Sequence, residues 1–156
     1  MNREQSAIYE TTSGKIQGFI HDNIVEFRGI PYAAPPVGAL RFAPPQKPEP
    51  WPGVRICNDF QDAATQENSI LINASAGEDC LYLNIWAPPK ESGIKRPVLF
   101  WIHGGGFFNG CGTMPYYNGT SYARQGIVVV TINYRLGALG FLPLSTLLNK
   151  IGRAHV

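Results

Sequence analysis

Eleven residues set the terms for this chain: Val98-Leu-Phe-Trp-Ile-His-Gly-Gly-Gly-Phe-Phe108. Five apolar residues follow Pro97, several of them aromatic or β-branched, and stop at His103, where three successive glycines begin. So short an apolar run predicts a strand covered on both faces, as in a parallel or mixed sheet, because a core helix would be longer. Gly104, Gly105 and Gly106 carry no Cβ, so their backbone can take positive φ and a reacting group can approach their amides closely. Adjacent N–H groups aimed at one point bind an anion. An oxyanion hole needs that arrangement, since a tetrahedral intermediate places negative charge on the former carbonyl oxygen.

Three glycines alone read more readily as a flexible turn, and the flanking residues are what favour the oxyanion reading. An apolar strand running straight into His-Gly-Gly-Gly is similar to the loop after an early strand in α/β-hydrolases of the lipase and esterase type. His103 reads as a structural histidine that pins this loop, since no nucleophile neighbours it in sequence.

Length and composition exclude several classes. The 156 residues, 44% of them hydrophobic, are enough for a real core. Thirteen Lys+Arg against 11 Asp+Glu give a net charge of +2 with no basic run, which leaves nucleic-acid binding without support. Residues 1–20 hold no continuous apolar stretch and no later segment approaches membrane-spanning length, so a cytoplasmic location is expected. Cys57, Cys80 and Cys111 are an odd number without Cys-x-x-Cys spacing. That pattern argues against a zinc site or a disulfide framework and for small buried residues.

Taken in order, Ile8 to Thr12, Lys15 to Ile20 and Val25 to Arg28 predict an antiparallel meander with a glycine turn at Ser13-Gly14. Gly29 to Gly53 is dense in proline, which rules out a long regular element. A disordered linker is one reading; Ile30, Tyr32, Leu40, Phe42 and Trp51 favour the other, an extended segment packed on a surface. Asp59 to Asn73 reads as a loop with one helical turn. Glu78 to Ala87 alternates Leu81, Leu83 and Ile85 against Tyr82, Asn84 and Trp86, a period-two strand ended by Pro88-Pro89. Tyr117 to Gln125 predicts a two-turn helix stopped by Gly126. Ile127 to Ile132 predicts the parallel neighbour of the Val98 strand, and Asn133 to Leu142 a glycine-punctuated loop.

Between Ser13 and Leu144 the sequence resembles the type B carboxylesterases, the carboxylesterase and cholinesterase family that includes the bacterial para-nitrobenzyl-esterase type. The matching blocks are Phe27-Arg-Gly-Ile-Pro-Tyr-Ala33, Pro35-Pro-Val-Gly38, Leu40-Arg-Phe42, Glu78-Asp-Cys-Leu-Tyr-Leu-Asn-Ile-Trp86, Trp101-Ile-His-Gly-Gly-Gly-Phe107, Asn133-Tyr-Arg-Leu-Gly137 and Gly140-Phe-Leu142, in the family's order. The resemblance implies an α/β class, the α/β-hydrolase fold, of which this is the N-terminal portion: an antiparallel meander leading into a central mixed, mainly parallel sheet. It implies that Gly105 and Gly106 donate their amides to the oxyanion while Gly104 shapes the turn. It further implies an Arg41–Glu78 ion pair with a structural role, and Phe107 and Phe108 as pocket-lining candidates; Trp101 is a third, with packing as its alternative. The substrate implied is a small-molecule carboxylic ester, with no metal or organic cofactor.

Two departures from the family pattern follow. Secreted members bridge the cysteine matching Cys80 to one just before a glutamine, where this chain has Ala63-Ala-Thr-Gln66, so Cys80 is expected to be a free thiol, in keeping with a reducing compartment. The family's Gly-x-Ser-x-Gly elbow, acidic residue and histidine follow the region matched here and are absent from this sequence. Ser145, His21 and His155 lack triad context and take no assignment. Lys150-Ile-Gly-Arg-Ala-His-Val156 is what AAG ATC GGA AGA GCA CAC GTC encodes, the start of a common sequencing adapter; a natural short tail is the alternative. Residues 1–149 are therefore expected to be the N-terminal part of an esterase domain and 150–156 not native.

The function expected of the parent is carboxylic ester hydrolysis through a serine acyl-enzyme, with the 156-residue chain itself inactive and exposing one sheet edge. A non-catalytic adhesion or binding homologue of the same fold is the alternative. A short self-folding binding module is a third.

Overall fold

The computed structural model describes residues 4–67 and 74–142; the adapter-like stretch 150–156, Ser145 and His155 lie outside the described residues. Three antiparallel strands open the chain: β1 (Glu4–Thr11), β2 (Gly14–His21) and β3 (Ile24–Pro31). Between β2 and β3, Asp22 and Asn23 both hold positive φ, 51° and 59°. Consecutive left-handed residues match the right-handed twist of a tight hairpin, and Asp and Asn tolerate that conformation better than most.

The proline-rich segment has a single 3-10 turn, Gly38–Leu40. Its far end is fastened back to the meander. The Trp51 amide donates to the Ser13 carbonyl at 3.0 Å, and its indole N–H to the Lys15 carbonyl at 2.9 Å. β4 (Val54–Ile56) then lies parallel to β2, a pairing too short to show a period in the sequence. The helical turn expected within Asp59 to Asn73 is absent from its described part. In its place a two-residue strand, β5 (Ala63–Ala64), pairs parallel with β6 (Ala76–Gly77). Both β5 residues are buried, and such small side chains let two backbones approach.

The remaining strands are β7 (Tyr82–Ala87), β8 (Val98–Ile102) and β9 (Val128–Ile132). The main sheet runs β1-β2-β3-β7-β9-β8. It is mixed: antiparallel from β1 to β9 and parallel from β9 to β8. Of the two apolar runs, β9 is the one covered on both faces. Val129, Val130, Thr131 and Ile132 are all buried. The expectation of a doubly covered strand at Val98 to Ile102 does not hold for β8, where Val98 is 60% and Ile102 58% exposed. β8 is the edge strand, and among the described residues no strand lies beyond it.

The helices are shorter than the sequence predicts. Tyr117 to Gln125 is a 3-10 turn at Pro115–Tyr117 followed by a single α-turn, α1 (Thr120–Ala123). Asn118 interrupts the run by turning its side-chain oxygen onto the Thr120 amide at 2.9 Å, a local bond that competes with helix. Gly126 ends the turn with φ +88°. Asn133 to Leu142, expected as loop, contains a short helix, α2 (Gly137–Phe141), packed so tightly that a Cβ on Gly140 would stand 2.1 Å from the Arg135 carbonyl oxygen.

Apolar side chains fill both faces of the sheet. One cluster gathers Ala33, Leu81, Val130, Ile132 and Leu136; another holds Ile16, Val25, Phe27 and Ile30. A third places Ala123 of α1 against Trp86 and Val129. Between β3, β7 and β9 sits a buried polar pair, with the Asn84 side chain donating to Thr131 and accepting the Gly29 amide. No helix among the described residues is long and apolar enough to cross a membrane.

Candidate active site

β8 delivers the chain to His103 at its end, and the glycine loop begins there. His103 is buried, and its ring stacks on Tyr134 at 4.4 Å between centroids with 20° between planes. The Tyr134 hydroxyl donates to the His103 carbonyl at 2.7 Å, while the histidine Nδ1 lies 2.9 Å from the Gly104 carbonyl oxygen. Burial pulls the imidazole below its ordinary pKa, and the Gly104 carbonyl opposes that only in part. A neutral, stacked histidine holds a backbone in place.

Gly105 and Gly106 take φ of +133° and +61°. A Cβ on Gly105 would stand 1.8 Å from the Asn109 carbonyl oxygen, so only glycine fits the turn as built. The Gly105 carbonyl accepts from the amides of Phe108 and Asn109, at 3.1 and 3.2 Å, which closes the turn. Gly104, Gly105 and Gly106 are exposed, and among the described residues their amides have no acceptor. Uncommitted neighbouring N–H groups on a rigid backbone can bind an anion or a carbonyl oxygen that is gaining charge.

Phe107 is left-handed at φ +68°, a conformation that costs a residue with a Cβ about 1–2 kcal/mol. Two contacts from α2 hold it: its carbonyl accepts the Gly137 amide at 2.7 Å, and its ring lies 4.6 Å from that of Phe141. The rings of Phe107 and Phe108 are 60% and 74% exposed, beside the free amides and available to whatever occupies the loop. Trp101 packs on Tyr117 at 5.2 Å.

Arg41 and Glu78 form a forked pair, with Nε to Oε2 at 2.6 Å and Nη2 to Oε1 at 2.9 Å. Each charge favours the other: the bond from Arg41 lowers the Glu78 pKa and the bond to Glu78 raises that of Arg41. Buried Arg135 reaches the same corner and donates to the carbonyls of Arg41 and Ala43, at 2.9 and 3.0 Å. These bonds tie the proline-rich segment to the chain leaving β9 and supply no group to the glycine loop.

Two residues that lie in the matched pattern without an assigned role, Gln66 and Asn133, complete the loop. Gln66 bonds the backbone on both sides of Gly110: its Nε2 donates to the Gly110 carbonyl at 3.0 Å, and its Oε1 accepts the Gly110 amide at 2.8 Å. Asn133 accepts the Gly112 amide at 2.7 Å and donates to the Asp62 carbonyl at 3.0 Å. Gln66 follows Ala63-Ala-Thr, where no periodicity points to a role for it. The three cysteines are free and buried, and burial pushes the Cys80 thiol to about 12 and that of Cys57 to about 11. No cluster of three or more His, Cys, Asp or Glu able to hold a metal occurs among the described residues.

Comparison with known proteins converges on one family. Fumonisin B1 esterase of Sphingopyxis macrogoltabida is 46% identical over 138 residues, 86% of this chain and 25% of that protein. Para-nitrobenzyl esterase of Bacillus subtilis (strain 168) is 42% identical over 145 residues, 89% of this chain and 29% of its own. Among solved structures, a carboxylesterase of Geobacillus stearothermophilus superposes with a TM-score of 0.82 at 47% identity, covering 88% of this chain and 28% of that one. A PNB esterase superposes at 0.89 with 37% identity, covering 94% and 31%. The chain thus spans between a quarter and a third of the length of these relatives. Residues 5–149 match the model of the carboxylesterase family, and with relatives this similar in sequence and backbone the chain belongs to that family.

Proposed function

We propose that this chain forms the oxyanion-binding wall of a carboxylic ester hydrolase that works through a serine acyl-enzyme. One observation carries the reading: Gly105 and Gly106 present exposed amides that have no acceptor among the described residues, on a positive-φ backbone that buried His103 and Tyr134 hold in place. Such donors act where charge develops, so they stabilise the tetrahedral intermediate more than the ester, and each contributes about 3 kcal/mol in comparable sites. Gly104 serves the loop's shape. Phe107 and Phe108 offer apolar surface beside the donors, which suits the acyl or alcohol part of a small-molecule ester. Arg41 and Glu78 organise the fold.

The nucleophile, its base and the acid come from sequence beyond these residues; no Gly-x-Ser-x-Gly occurs in the chain. Residues 1–149 are read as the N-terminal part of the hydrolase domain and 150–156 as translated adapter, a division supported by a family match that reaches residue 149. Three free buried thiols support a reducing, cytoplasmic setting.

The test is to extend the reading frame past Asn149 in the source DNA and assay the product on short-chain p-nitrophenyl esters, with and without a serine-directed organophosphate. Hydrolysis that the organophosphate abolishes supports the reading. A frame that stops at Val156, or a product that hydrolyses no ester, refutes it.

A further inference from the structure

We propose that Gln66 is a positioning residue for the oxyanion loop, acting through Gly110; the inference rests on the esterase reading of Gly105 and Gly106. The loop leaves β8 at His103 and comes back to itself at Gly110, which is buried with φ +114°. Its return is close. A Cβ on Gly110 would stand 2.5 Å from both the Gly104 carbonyl oxygen and His103 Nδ1, so the Gly110 backbone lies directly against the start of the glycine run. A shift of the Gly110 peptide therefore moves the support on which Gly104 to Gly106 rest.

Gln66 fixes that peptide in both directions. A side-chain amide that gives and takes one hydrogen bond with the C=O and N–H of the same residue behaves like one rung of a sheet, and it holds the two peptide planes that meet at that residue. The amide cannot flip without loss, because Nε2 also donates to the Ala64 carbonyl at 2.9 Å and Oε1 is the acceptor of the Gly110 N–H. The base of the clamp is firm as well. Ala63 and Ala64 are buried in β5, and Asn133 binds Asp62 to Gly112 two residues beyond the clamp. Gln66 touches neither Gly105 nor Gly106, and its effect on reaction rate passes through the backbone. Donors misplaced by a fraction of an ångström lose transition-state stabilisation and leave ground-state ester binding nearly untouched, so the signature is a fall in kcat at constant KM.

The experiment uses the full-length hydrolase from the extended frame, as wild type, Gln66→Met and Gln66→Glu. Active sites are titrated with a fluorophosphonate so that kcat refers to folded, competent enzyme, and p-nitrophenyl acetate is the substrate. Gln66→Met is expected to lower kcat per titrated site at least tenfold, with KM within twofold of wild type. Gln66→Glu keeps the acceptor for the Gly110 amide but sets an acceptor-only carboxylate oxygen against the Gly110 and Ala64 carbonyls, and is expected to lower kcat per site at least as far as Gln66→Met. A kcat per site within twofold of wild type for Gln66→Met overturns the proposal, as does a loss confined to the number of titratable sites. If wild type neither hydrolyses ester nor takes the label, the esterase reading fails by itself. Hydrogen exchange of the Phe108 and Asn109 amides, which close the turn on the Gly105 carbonyl, then decides the clamp in the 156-residue chain: faster exchange in Gln66→Met supports it, and unchanged exchange overturns it.

Discussion

Tyr134 holds His103 twice, by a ring stacked at 4.4 Å and by a hydroxyl that donates to the His103 carbonyl at 2.7 Å. Tyr134→Phe keeps the first contact and removes the second, leaving a buried carbonyl without its donor. The expected loss is about 1–3 kcal/mol of stability by urea unfolding of the full-length protein. Tyr134→Ala, which also removes the ring, is expected to cost more than Tyr134→Phe in the same measurement.

The depressed pKa of His103 gives a pH dependence of definite sign. An unfolded histidine binds its proton near 6.5 and the folded one only at lower pH, so between those values the unfolded state holds more protons. Stability from this group is complete above 6.5 and is lost as pH falls through the folded value. Thermal midpoints are expected to drop below pH 6.5 more steeply in wild type than in His103→Gln, which has no imidazole to titrate.

The glycines of the loop separate by what a methyl group meets. Gly104 has neither positive φ nor any described atom within 4 Å of its absent Cβ, so Gly104→Ala is expected to leave kcat within tenfold. At Gly106 the nearest atom is 4.0 Å away but φ is +61°, so Gly106→Ala meets space and pays only left-handed strain, about 1–2 kcal/mol. Gly105→Ala drives its methyl into the Asn109 carbonyl and must rebuild the turn, with an expected fall in kcat of about 100-fold or more. Steady-state kinetics of the three variants in the extended hydrolase check the order.

Burial holds the Cys80 and Cys57 thiols protonated far above neutrality, at about 12 and about 11. Since the thiolate is the reactive form, native protein is expected to resist an aromatic disulfide reagent at roughly pH 8. All three cysteines, Cys111 included, should react once concentrated guanidinium opens the core. Fast labelling of the native chain would contradict the burial of these side chains.

Much of the fold was legible in the strands with a clear period or a continuous β-branched run. Leu83 and Ile85 alternate with Asn84 and Trp86, and β7 lies along that stretch, although Asn84 and Trp86 form its fully buried face and Leu83 and Ile85 are half-buried. The valine run of β9 and the turn at Gly126 were equally plain. Exposure was harder, because β8 and β9 are equally apolar and only their places in the sheet differ: one is flanked on both edges, the other on one. Short elements escaped notice for a related reason. β4, β5 and α2 are held by distant partners such as Gln17, Ser75 and Phe107, and no local pattern announces them. At the site, Gly104 to Gly106 were visible as chemistry; Gln66 was visible only as part of a family pattern, and its partner Gly110, 44 residues later, was not.

The strand order carries a consequence for the sequence of events in synthesis. β8 leaves the ribosome before β9, yet its only neighbour in the described sheet is β9, which fills the space between β8 and β7. Until Ile132 has emerged, β8 has nothing to pair with, and until Tyr134 has followed, His103 has no ring to stack on. A nascent chain halted between Gly106 and Val128 would carry an unpaired apolar strand ending in an unshaped loop, the kind of segment that chaperones hold. The glycine turn is thus written early in the gene and formed late, by residues that arrive after it.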